Sequence, residues 1–153
     1  MITLEILEEY QTQVKTQGIE NAAVTALRHQ SIFDAAELTI VITDDEQLRK
    51  LNLEFRDIDA PTDVLSFPVD FLDPENEVPY LGDIIISFPR ARQQAETGGH
   101  STLAELQLLT VHGILHLLGH DHADPAEKTE MWAAQEEILQ QLGLDNLHIT
   151  GDE

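Results

Sequence analysis

The twelve residues VHGILHLLGHDH, at positions 111–122, carry four of the seven histidines in a chain of 153 residues. On a helix, side chains four apart lie one above the other, so His112 and His116 share a face. Two imidazoles so placed can reach one metal ion, each at roughly 2.0–2.1 Å. Gly119 stands where that helix is expected to stop, because glycine accepts the left-handed conformation of a helix end. The chain can then turn back and deliver His122 to the same ion. Three neutral imidazoles leave a fourth tetrahedral position for water, the arrangement of a catalytic rather than a structural site. A single ion per chain is therefore expected, on His112, His116 and His122.

A second pair, His116 and His120, is also four apart. It requires the helix to run through Gly119, at a cost of about 1 kcal/mol relative to alanine. His120 is accordingly expected at the rim of the site, and Asp121 is either a solvated turn residue or an acceptor that orients a ligand imidazole. The histidine and glycine positions reproduce those of the metzincin proteases, His-Glu-x-x-His-x-x-Gly-x-x-His. Their glutamate, the base that takes a proton from zinc-bound water, is replaced here by Gly113. Peptide hydrolysis by that route is not expected. His29, His100 and His148 have no partner pattern and read as solvated or locally bonded.

Composition narrows the remaining classes. The chain has eight Lys plus Arg against 29 Asp plus Glu, a formal charge of −21, and no cysteine. Disulfides, thiolate nucleophiles and cysteine-held zinc are excluded. Such a surface repels phosphate backbones and anionic membranes at long range. Any polyanion substrate would have to be held by a local basic patch or a bound cation, or be delivered by a partner. Neither a secretory signal nor an apolar run of roughly 20 residues is visible, so a cytoplasmic chain with no membrane association is expected.

The elements that must position the histidines read as an alternation of strands and helices. Residues 2–7, 38–43, 63–69 and 82–87 are strand-like, and Pro68 in the third argues for a sheet edge or a strand end. Helices are expected over 21–29 and over 45–55 behind Asp44, the latter with Leu48, Leu51 and Phe55 on one side. Arg56 then opens a loop, 56–62, and 71–79 reads as a second, exposed loop. A helix from Pro89 stops at Gly98 and Gly99, and Thr102 with Glu105 has capping-box spacing before the histidine helix. The last helix opens at Asp124-Pro125 and closes at Gly143, with Trp132 among its core residues. The pattern gives one α+β domain over 1–153: a small, mixed, mostly parallel four-stranded sheet flanked by helices, with the metal site on a helix and its following turn.

With these blocks in place the sequence resembles the YbeY family of bacterial endoribonucleases that mature ribosomal RNA. HGILHLLGHDH, 112–122, is similar to the family's zinc motif HGxLHLxGYDH, with His120 where tyrosine is usual. RDIDAPTDVLSFP, 56–68, and LGDIII, 81–86, resemble the family's arginine-bearing loop and the strand beyond it. The resemblance implies Zn2+ on His112, His116 and His122, and Arg56 as the residue tied to activity. Alone, Arg56 reads as a solvated loop residue. The implied activity is single-strand-specific cleavage of RNA in maturation of the small-subunit rRNA 3′ end and in ribosome quality control.

A zinc-bound water can ionise near pH 7 and the ion can polarise a phosphoryl oxygen. A guanidinium can grip phosphate through two parallel hydrogen bonds. Attack by water or by the RNA's own 2′-hydroxyl fits these groups equally, and no general base is evident. Arg90 and Arg92 could add to a basic patch. The charge of −21 makes delivery of the RNA by a ribosomal protein or assembly factor the expected route, and DNA is not an expected partner. Two other readings fit the same residues. One is a zinc hydrolase of a different substrate class. The other is a noncatalytic assembly factor whose metal is structural, with His120 as a fourth ligand.

Overall fold

Strand β2 (Glu37–Thr43) buries Leu38, Ile40 and Ile42 while the residues between them are partly covered, the period-two signature of a sheet with one deeply packed face. The computed structural model describes residues 2–32, 36–72, 78–121, 123–144 and 147. Around β2 lie β1 (Ile2–Ile6), β3 (Val64–Leu72) and β4 (Pro79–Ser87), in the order β1-β2-β4-β3. The first three in that order are mutually parallel; β3 runs antiparallel to β4 and forms the free edge. Pro68 is tolerated inside β3 because an edge strand leaves one row of amides unpaired. This is the mixed, mostly parallel four-stranded sheet that the sequence implies.

Five helices complete the fold: α1 (Thr16–His29), α2 (Asp45–Arg56), α3 (Phe88–Gly98), α4 (Thr102–Leu117) and α5 (Pro125–Gln141). Leu38, Ile40, Ile42, Val64, Ile84 and Ile86 meet α1, α4 and α5 in the main core. On the other face Leu65 and Ile85 pack against Leu48 of α2 in a smaller cluster, with Val41, Leu51 and Phe67 around it. Helix α4 is buried nearly all round, as a helix without a polar face must be. It touches α1, α3, α5, β3 and β4, so the histidine segment is fixed by the whole core. Among the described residues, no helix is long and apolar enough to cross a membrane.

Gly113 explains how α4 comes so close to the sheet. A Cβ built there would lie 2.8 Å from Cγ2 of Ile84, which is itself buried. The same residue's carbonyl accepts a hydrogen bond from Ser66 Oγ of the edge strand at 3.3 Å. The position that holds a catalytic glutamate in the metzincin pattern thus faces packed sheet.

Several boundaries differ from the sequence reading. Helix α1 starts at Thr16 rather than at 21. Arg56 closes α2 instead of opening a loop, and Asp57 follows it in the left-handed region at φ 59°. Phe71, Leu72 and Pro79 belong to β3 and β4, while 73–77 lie outside the described residues. The cap of α4 is Ser101, whose hydroxyl accepts from Ala104 N at 3.0 Å, one residue before the expected box. Glu105 is drawn elsewhere: it is buried, with Oε1 2.6 Å from His100 Nε2 and no partner for Oε2 among the described residues. Trp132 is 46% exposed, with Lys128 Nζ 4.8 Å above its ring, so it is not core. Met131, Ala134, Ile138 and Leu139 carry the inner face of α5.

Two consequences are measurable. Gly113→Ala gains about 1 kcal/mol of helix propensity, but overpacking against Ile84 costs about 1–3 kcal/mol. A net fall of a few degrees in thermal midpoint is expected; an unchanged or raised midpoint would show that α4 has slack there. Burial raises the pKa of Glu105 above its ordinary 4.5, against a lowering pull from His100. A carboxyl that holds its proton more tightly when folded loses stability as pH rises from the unfolded value through the folded one. Relative to Glu105→Gln, the wild type should therefore lose stability as pH is raised above about 4.5. A pH-independent difference between their denaturant midpoints would contradict this.

Candidate active site

Helix α4 presents His112 and His116 one turn apart, as their spacing demands, with His112 fully buried and His116 partly so. Their Nε2 atoms face each other at 3.1 Å. Each ring is anchored through its other nitrogen. His116 Nδ1 lies 3.0 Å from the carbonyl oxygen of His120, and His112 Nδ1 lies 3.0 Å from Oε1 of Gln135 on α5. A carbonyl oxygen only accepts, so the proton of each imidazole sits on Nδ1. Both Nε2 atoms then carry lone pairs directed at one another, an arrangement that favours a cation between them. Nitrogens around a tetrahedral ion at roughly 2.0–2.1 Å are roughly 3.3–3.4 Å apart, close to the spacing seen here. The two imidazoles fit a divalent metal and are already in the tautomer that such an ion requires.

The turn after α4 supplies one of the two anchors. Gly119 N donates to His116 O at 3.1 Å and His120 N donates to Leu115 O at 2.9 Å. These are the paired bonds of a Schellman stop, and Gly119 takes the left-handed conformation at φ 97° that the stop needs. The expected helix end is thus where the glycine put it. The same turn aims the His120 carbonyl back at His116. The His120 ring points elsewhere, its Nε2 2.7 Å from Oε1 of Gln30 at the end of α1. His122, the third residue of the expected triad, lies outside the described residues, as does His148. Among the described residues no three His, Cys, Asp or Glu side chains converge as a metal site.

His116 opens into a cleft of about 490 Å3 that straddles the free edge of the sheet. Val64, Ser66 and Pro68 line it, with His116 and Asp121 from the α4 side. Phe55, Arg56, Leu65 and Phe67 line it with the α2 side. Arg56 therefore shares the cleft with His116, although 60 positions separate them in the chain. The end of α2 that carries Arg56 is tied down locally. Ile58 N donates to Asn52 O at 3.2 Å, and buried Asn52 donates from Nδ2 to Ala60 O at 2.8 Å. Arg90 and Arg92 do not join this cleft: Arg90 pairs with Asp45 at 3.4 Å, and Arg92 lies 5.6 Å from the Phe88 ring centroid.

Two contributions escaped the sequence. Gln135 is 23 positions from His112 and on another helix, where it looks like any surface glutamine. Its signal, in retrospect, is a polar residue on the apolar stripe made by Met131, Ala134, Ile138 and Leu139. The His120 carbonyl left no signal, because main-chain groups carry none.

The fold and site define an α+β protein whose buried, histidine-bearing helix opens beside an edge strand opposite an arginine. A family model described as Endoribonuclease YbeY matches residues 5–143. The chain is 46% identical over 134 residues to the Endoribonuclease YbeY of Bacillus licheniformis, covering 82% of this chain and 84% of that one. It is 42% identical over 149 residues to the protein of that name from Roseiflexus castenholzii, covering 94% of each. A solution structure of a Thermotoga maritima protein shares the fold at TM-score 0.63 and 24% identity, covering 93% of this chain and 89% of that one. The chain belongs to the YbeY endoribonuclease family, enzymes that hydrolyse phosphodiester bonds.

Outer-sphere partners of a ligand imidazole typically change metal affinity by about 10–100-fold. Gln135→Met keeps the length of the side chain and removes the acceptor. If the histidine pair holds Zn2+, the change should weaken that binding by about this factor in competition with a chromophoric chelator. Equal affinity in the two proteins would mean that Gln135 does not set the His112 tautomer.

Proposed function

We propose that the chain is a single-domain, Zn2+-dependent endoribonuclease that cleaves single-stranded RNA in the cytoplasm. Its proposed task is maturation of ribosomal RNA, notably the small-subunit 3′ end, and ribosome quality control. The proposed ligands of its one ion are His112, His116 and His122. The observation that carries the reading is the pair of Nε2 atoms at 3.1 Å, one ring opening into the cleft that Arg56 also lines, in a chain of the YbeY family.

A bound Zn2+ supplies Lewis acidity toward a phosphoryl oxygen and acidifies water. Everything else is done by the chain. Gln135 and the His120 carbonyl hold the two imidazoles as neutral Nδ1–H tautomers and fix their direction. Asp121 lines the cleft beside His116. Arg56, always charged, grips the non-bridging oxygens of the phosphodiester and stabilises the negative charge that grows there.

The structural-metal alternative needs a side chain on the fourth position, and His120 was its natural source. The contact of His120 Nε2 with Gln30 favours the catalytic reading instead. The charge of −21 supports delivery of the RNA by a ribosomal protein or assembly factor. Tight binding of naked RNA at physiological salt would remove the need for that partner.

The decisive experiment uses nuclease-free protein and a short single-stranded RNA. Zn2+-loaded wild type should cut it, chelation should abolish cutting, and Zn2+ should restore it. His116→Ala should lower the rate by at least about 100-fold, and Arg56→Ala by about 100–1,000-fold, the usual scale for loss of one oxyanion-stabilising group. Cleavage that survives His116→Ala would refute the assignment.

A further inference from the structure

The cleft contains a feature that phosphate chemistry does not use. Phe55 is 59% exposed, more than any other large apolar side chain described in the protein. Its neighbours on the inner stripe of α2, Leu48 and Leu51, pack against the sheet with Leu65 and Ile85. Phe55 comes four residues after Leu51, one turn further on the same stripe, and overhangs the free edge where no sheet remains to cover it. It meets Phe67 of β3 edge-on, with ring centroids 5.1 Å apart and planes at 63°. An edge contact covers no more than one face of one ring, Phe55 remains 59% exposed, and both rings line the cleft of Arg56 and His116.

We propose that Phe55, braced by Phe67, is a stacking platform for an unpaired nucleobase of the RNA, adjacent to the phosphate that Arg56 holds. This rests on the endoribonuclease reading and names the part of that substrate which the aromatic pair recognises. The charge balance gives such a contact weight. A chain at −21, with Arg56 the sole Lys or Arg among the residues lining the cleft, draws little affinity from the phosphate backbone. Affinity must come from contacts that charge does not govern. Stacking on an aromatic face is one, and every base offers a π-face. The platform also accounts for strand preference, since a base inside a duplex has both faces covered while a splayed base does not. Phe55 directly precedes Arg56, so the base and the phosphate would be gripped by consecutive residues at the end of one helix.

The test compares Zn2+-loaded wild type with Phe55→Ala, Phe55→Leu and Phe55→Trp on single-stranded RNA. Loss of one base–aromatic stack corresponds to about a 5- to 150-fold effect. Phe55→Ala and Phe55→Leu should raise KM by such a factor with little change in kcat, and Phe55→Trp should restore it. Thermal midpoints of all three should stay near that of the wild type, because Phe55 is mostly exposed. An RNA with an abasic nucleotide beside the cut bond should show the same KM increase on wild type and no further increase on Phe55→Ala. RNA cleavage by wild type with unchanged KM in Phe55→Ala and Phe55→Leu would overturn the platform and leave the nuclease intact. Failure of the wild type to cut RNA at all would overturn the nuclease reading, and the platform with it.

Discussion

The site depends on two ring nitrogens, Nε2 of His112 and of His116, held face to face at 3.1 Å. In the neutral rings these two nitrogens are both acceptors, so their orientation must be set elsewhere. They stay because the opposite nitrogens are committed, one to Gln135 and one to the His120 carbonyl. Each anchor comes from a different part of the fold. Gln135 requires α5 to lie against α4, and the carbonyl requires α4 to stop at Leu117 and the chain to turn at Gly119. The orientation of both rings is therefore sustained by tertiary packing.

Packing in turn depends on how close α4 approaches the sheet. The absence of a side chain at Gly113 lets the helix settle on Ile84, and Ser66 ties the edge strand to the same carbonyl. That contact places His116 at the sheet's open margin instead of its middle. Helix α2, on the opposite face, ends at the same margin with Phe55 and Arg56. The cleft exists because two helices from opposite faces of one sheet arrive at a strand whose outer side is unpaired.

Much of this was legible in the sequence, for identifiable reasons. The histidine helix and its stop were readable because both rest on short-range rules: side chains four apart share a face, and glycine permits the left-handed turn. The edge position of β3 was readable from Pro68, whose missing N–H cannot serve an inner strand. Long-range choices were not readable. Thr102 and Glu105 have the spacing of a capping box, yet Ser101 caps the helix and Glu105 turns to His100, a contest decided by burial. Trp132 looked like core on hydrophobicity alone, but α5 faces inward through Met131 and Ile138 and leaves the indole under Lys128. Arg56 seemed a loop residue until the turn closed by Asn52 showed that the helix extends to include it.

The His120 carbonyl has a consequence for how this chain can vary. What His116 needs from position 120 is an oxygen of the main chain, and every amino acid brings one. The imidazole of His120 is occupied with Gln30, outside the cleft. The side chain at position 120 can thus differ without loss of that contact, because the duty at that place is discharged by the path of the backbone.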